Sequence, residues 1–228
     1  TRVALEAFLI SKYEVTQAQW ARQMNNSPSQ YGPLIEQGAR HPVTNVNFED
    51  VSRYTFQLGL TLPTAAQWEY SARAGGNTVW WTGDRRESLE GMANLADRGY
   101  ETQILGRPGS EDWNDGHTLH APIGSYPPNG FGLHDVAGNV WEWCLDHHGS
   151  YRTPPRPEDG LRTVTDPAIR VMRGGGWDND ALWQRTALRH QVPPEARWSG
   201  LGLRPVKDLR RSADGTTGIG WPSPPRDD

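Results

Sequence analysis

The chain has 228 residues, 35% of them apolar and including 11 Trp and 7 Tyr, which is enough for one sizeable aromatic core and excludes disorder throughout. A net charge of −4, with its 23 basic residues unclustered until the short KDLRR run at 207–211, leaves no electrostatic footprint for nucleic acid. No apolar run is long enough for a membrane helix, TRVALEAFLI carries no cleavable leader pattern, and the single Cys144 rules out an intrachain disulfide or a multi-cysteine zinc site, so the compartment is left open.

Residues 5–15 (LEAFLISKYEV) are rich in β-formers and predict a strand. Thr16 with Gln19 forms a capping-box pattern that opens a helix through Trp20 and Met24. After the loop NNSPSQYGP, Asn47 starts a second helix, with Phe48, Val51, Thr55 and Leu58 at helical spacing and Gly59 as its stop. Thr64 and Gln67 repeat the capping box, and Gly75–Gly76 closes that third helix.

From 77 to 169 turn signals recur every few residues and no helix is predicted; short strands follow near 170–174 and 201–206. Residues 1–206 therefore read as a single α+β domain, and the Gly/Pro/Asp-rich segment 207–228 as a flexible tail. No internal repeat is visible.

Four segments then acquire a joint meaning: YEVTQAQW (13–20), HPVTNVNFEDV with LPTAAQWEYSARAG (41–75), PIGSYPPNGFGLHDVAGNVWEWC (122–144) and RGGGW…RTALR…PPEAR…LGLR (173–204). In this order they resemble the formylglycine-generating-enzyme, or sulfatase-modifying-factor, family. The resemblance implies a variant of the C-type-lectin fold, with short helices early, small sheets and much irregular structure.

Enzymes of that family use two cysteines just after the glycine motif to bind copper and engage a substrate thiol. This chain reads GGGWDNDALWQR there, with Asn179 about where the first cysteine would stand, so no copper site is expected. Cys144 lies in the WEWC motif and reads as a core thiol. A second catalytic branch, the sulfoxide synthases, takes iron-binding histidines largely from a further helical domain; this chain has no HxxxH, and the adjacent His147 and His148 would point to opposite faces of an extended segment.

The resemblance also implies structural calcium, held by hard oxygen ligands. One set would be Asp135, Gly138 (carbonyl), Val140 (carbonyl) and Glu142; the other Asn94, Leu95 (carbonyl), Asp115 and His117 (carbonyl). Arg173, Arg185, Arg189 and Arg204 fall where the family pattern has arginine and are read as structural clamps, with Trp177 in the core.

Between these fixed positions, Asp178, Asp180, Leu182, Trp183, Leu188, His190, Gln191, Val192, Ala196, Trp198 and Ser199 are expected to face out and form a ligand-binding surface. The variable proteins of diversity-generating retroelements resemble this family and randomise this same segment. Their mechanism mutates adenines of AAC or AAT codons, which do not reach Trp or Gln, so Trp183, Gln191 and Trp198 read as template-fixed. The expectation is a non-catalytic module recognising a protein or other macromolecule, with neither nucleic acid nor membrane as partner. The alternative is a metal-dependent oxidoreductase acting on a thiol or peptide.

Overall fold

The computed structural model describes residues 3–31, 36–100, 111–162, 164 and 169–209. Helix α1, Gln17–Met24, starts at Thr16 with the capping box complete: Gln19 N–H donates to the Thr16 hydroxyl while Thr16 N–H donates to the Gln19 side chain. Asn47 with Asp50 opens α2, Phe48–Gln57, and Thr64 with Gln67 opens α3, Ala65–Arg73, in the same reciprocal way. Each box satisfies two donors that a helix start otherwise leaves bare. Trp20 of α1 stacks on Tyr54 of α2 at 5.0 Å between ring centroids, a contact worth about 1 kcal/mol beyond its buried area.

The strands are short. β1, Phe8–Ile10, is narrower than the strand expected over 5–15, because only these residues form a continuous ladder; Glu6, Ser11 and Val15 make isolated backbone bonds to Glu158, Pro205 and Leu203. It pairs antiparallel with β6, Val206–Asp208. Lys207 and Asp208 are therefore in the sheet, while the remainder of the expected tail from 210 onward lies outside the described residues.

The larger sheet has the order β4-β3-β2-β5, from His190–Val192, Arg170–Arg173, Trp141–His147 and Leu201–Gly202. β2 was not expected from the sequence. Its WEWCLDH run is buried on both faces, so the alternation that marks a half-exposed strand is missing.

The main core joins Val15, Trp20, Val51, Leu62, Trp143 and Leu201 across all three helices' neighbourhoods and this sheet. Arg173 pins α3 to the region after β3: its Nη1 donates to the Thr186 and Leu188 carbonyls and its Nη2 to the Ala65 carbonyl and Glu69. Among the described residues no helix is long and apolar enough to cross a membrane.

Candidate functional site

The site grows from the glycines after β3. At Gly175, φ is +76° and an added Cβ would stand 1.8 Å from the Gln184 side chain, so only glycine lets the chain turn there. Gln184 in return donates to the Gly176 and Asn179 carbonyls, closing a compact loop. Asp180 caps the following 3-10 turn, Ala181–Gln184, by accepting from Leu182 N–H.

Asn179, which the family resemblance puts about where the first cysteine of the enzymes would stand, is a strut. Its side-chain oxygen accepts from Trp141 Nε1 at 2.7 Å and from Gly176 N–H at 3.2 Å, and its carbonyl accepts from Ala96 N–H. Cys144 is fully buried, and burial pushes its thiol well above the ordinary range. Neither position offers a thiolate to a soft metal ion.

Of the expected recognition residues, Leu182 (60% exposed) and Trp183 (39%) project from the capped turn. His190 on β4 meets the Trp183 ring at 5.2 Å and 90°, and Trp141 closes the group at 6.3 Å from Trp183 and 5.7 Å from His190. Burial lowers the pKa of His190, so the imidazole is neutral at pH 7 and the patch is an aromatic corner. Asp178 is half-buried beside the turn and Gln191 is exposed on β4.

The other members lie elsewhere. Val192 is 1% exposed and part of the main core, because β4 turns alternate side chains in and out; the expectation that it faces the ligand is corrected. Leu188, Ala196 and Trp198 are half-buried with their apolar atoms on that core. Ser199 contributes its carbonyl to Trp177 Nε1 and is only partly exposed. Of the expected set, Leu182, Trp183 and Gln191 are exposed, and Asp178, Asp180 and His190 are half-buried beside them.

The family resemblance implied calcium, and the residues fit it unequally. In the first set Glu142 has no lone pair to spare: Arg204 Nε and Nη2 and Trp68 Nε1 all donate to its two oxygens. Asp135 keeps one buried oxygen without a partner, but the set as a whole does not fit. In the second set the Asn94 side-chain oxygen is buried without a partner, and Asp115 accepts from Leu95 and His117 N–H, which folds the two carbonyl-bearing residues about the carboxylate. One carboxylate, one amide and two carbonyls are oxygen types that a hard cation takes, and here only the Asn94 amide oxygen is left without a donor, both Asp115 oxygens accepting backbone N–H groups.

Sequence reasoning missed a pair of buried histidines, His41 and His120, whose Nδ1 atoms are 3.1 Å apart. They are 79 positions apart in the chain, and no local pattern links them. It also missed Trp141 as a wall of the aromatic corner, although its WEW motif was recognised.

Comparison with known proteins follows this geometry. The profile of the Sulfatase-modifying factor enzyme 1-like domain matches residues 1–209. The formylglycine-generating enzyme of Streptomyces coelicolor is 34% identical over 183 residues, 78% of this chain and 55% of that protein. The chain spans about half the length of the curated relatives of this kind that it matches. Among solved structures, Treponema denticola variable protein 1 superposes with a TM-score of 0.73 at 25% identity, covering 90% of this chain and 86% of that one. PvdO from Pseudomonas aeruginosa gives a TM-score of 0.73 at 27% identity, covering 91% and 83%.

Proposed function

This chain belongs to the Sulfatase-modifying factor enzyme 1-like domain family, and we propose that it is a non-catalytic, ligand-binding member whose recognition face is the turn Asp178–Trp183 with His190 and Gln191. The observation that carries this reading is Asn179. About where the resemblance puts the enzymes' first cysteine, this side chain is committed to Trp141 Nε1 and Gly176 N–H. The position thus supports a wall of the aromatic corner instead of a reacting thiolate.

An exposed Trp braced by a second Trp and a neutral His presents rigid apolar area at low entropic cost, the usual anchor of a protein-binding surface. The fitting partner is a protein or other macromolecule with an apolar projection. The likeness to a variable protein supports the finer reading that this segment is a diversified paratope. Sequencing the DNA around the gene tests that finer part. A near-copy of the 170–206 coding segment differing only at adenines, beside a reverse transcriptase, supports it; no such copy removes it and leaves an invariant recognition face.

The second reading, a metal-dependent oxidoreductase acting on a thiol or peptide, is favoured by the identity to a formylglycine-generating enzyme. It would need a metal held by groups other than a cysteine pair. Calcium enters as a proposed structural ion of the Asn94, Leu95, Asp115 and His117 set, where it would tie two turn segments together.

A further inference from the structure

The four arginines that the family pattern shares do not behave alike. Arg204 spends all three of its nitrogens inside the fold, and Arg173 both its Nη atoms, leaving only its Nε buried without a partner among the described residues. Arg189 spends only one: its Nη2 donates to the Gly149 carbonyl, while its Nε and Nη1 are shielded from water with no partner among the described residues. Arg185 is exposed and uses Nε on the Leu182 carbonyl. A buried guanidinium N–H without an acceptor is costly, and its usual explanation is a missing acceptor.

Arg189 and Arg185 line one cleft of about 610 Å³, together with Arg73, Asn77, His148 and Tyr151. Among the described residues that line it there is no carboxylate. Glu69, the nearest compensation, is divided between Arg73 Nε and Arg173 Nη2, both at 2.9 Å, so it cannot cancel both charges. The Tyr151 ring centroid lies 3.7 Å from the Arg189 guanidinium, which it covers on one side. His148 is pushed below its ordinary pKa chiefly by burial, with the Arg189 charge acting in the same direction. Val79 and Leu188 add apolar wall.

We propose that this cleft binds the oxyanion head of a small organic ligand, a carboxylate, sulfate or phosphate on a short apolar stem. The volume lies within the range of small-molecule sites and exceeds what a bare ion needs. The exposed Arg185 guanidinium takes the charged oxygens, Arg189 adds its positive charge from the cleft wall, Asn77 supplies a neutral hydrogen-bonding group, and Val79, Leu188 and the Tyr151 ring cover the stem. The inference is independent of whether the chain catalyses anything, since a substrate and a bound ligand would need the same charge complement.

The experiment is calorimetric titration of the full chain at low salt with phenyl phosphate, phenyl sulfate and phenylacetate as probes and benzyl alcohol as neutral control. At least one anionic probe is expected to bind one per chain at millimolar or tighter affinity, more weakly as sodium chloride is added, and the preferred head group identifies the ligand class. Arg189→Gln and Arg185→Gln should each weaken that binding about tenfold or more, the effect of losing a charged hydrogen-bond donor. If Arg189→Gln does not fold, the exposed Arg185→Gln decides. No saturable binding of any anionic probe, binding unchanged in the folded variants, or equal binding of benzyl alcohol overturns the proposal.

Discussion

Arg204 and Glu142 form a fully buried ion pair, with Arg204 Nη2 2.7 Å and Nε 3.0 Å from Glu142 Oε1. The same guanidinium donates to the carbonyls of Ser11, Lys12 and His134, so one side chain ties the first strand's exit, the GLHD turn and β2 together. Breaking such a pair leaves an uncompensated buried charge. Arg204→Met is expected to cost about 3–5 kcal/mol in urea unfolding, well above what removal of an exposed pair such as Arg53–Glu49 would cost.

The recognition face should separate from the fold. Trp183→Ala removes an exposed ring and is expected to change stability by less than about 1 kcal/mol. Asn179→Ala removes the acceptor of Trp141 Nε1 and Gly176 N–H and should cost about 1–3 kcal/mol. Parallel denaturant titrations of the two variants check the contrast.

Helix starts and the family skeleton were legible in the sequence because each is a local statement. Thr16/Gln19 and Thr64/Gln67 read as capping boxes and Asn47 as a helix start wherever the chain goes, and all three helices begin there, Asn47 with Asp50 as a partner that only the structure supplies. β2 was not legible, since Trp141, Trp143 and Cys144 are buried beside the equally buried Glu142 and Asp146, so no polar face alternates with an apolar one. Val192 was misplaced for a related reason: a three-residue strand gives too little pattern to fix which face is inward. The role of Arg189 depends on what its neighbours leave unpaired, and spacing carries no record of that.

Acid should destabilise the protein through the buried histidines. Burial, and then the neighbouring His41, hold His120 down to about 3 from an ordinary value of 6.5. The unfolded chain takes up this proton as pH falls through about 6.5, and the folded chain does not until about pH 3, so the unfolded state binds more protons between them. Stability is therefore complete above that window and declines within it, by about 2 kcal/mol at pH 5 from His120 alone. His41 is lowered too and adds in the same direction. Urea midpoints at pH 7.5 and 5 measure the loss, and His120→Phe should reduce it.

Calcium should raise the melting temperature of chelator-treated protein. At a free concentration one hundred times its dissociation constant, an ion that binds only the folded state adds about 2.7 kcal/mol. Asp115→Asn should abolish this response, while Asp135→Asn should leave it, because Glu142 of that set is already occupied by Arg204 and Trp68.

Cys144 is expected to be inert in the native state. Its thiol is buried among β2 and α3 residues and held in the neutral form. A maleimide should label it only at denaturant concentrations that unfold the chain, and native labelling at the rate of a free thiol would contradict the burial.

The central claim, recognition without redox chemistry, is tested most directly by counting metal and dioxygen. The purified chain is loaded with copper(I) or iron(II) under reducing conditions, freed of excess metal, assayed for bound ion, and mixed with a cysteine-containing peptide in an oxygen electrode cell. The account predicts no stoichiometric redox metal and no metal-dependent oxygen uptake, with calcium exchange unaffected. One copper or iron per chain together with oxygen uptake that tracks the metal would contradict it and establish the oxidoreductase reading in its place.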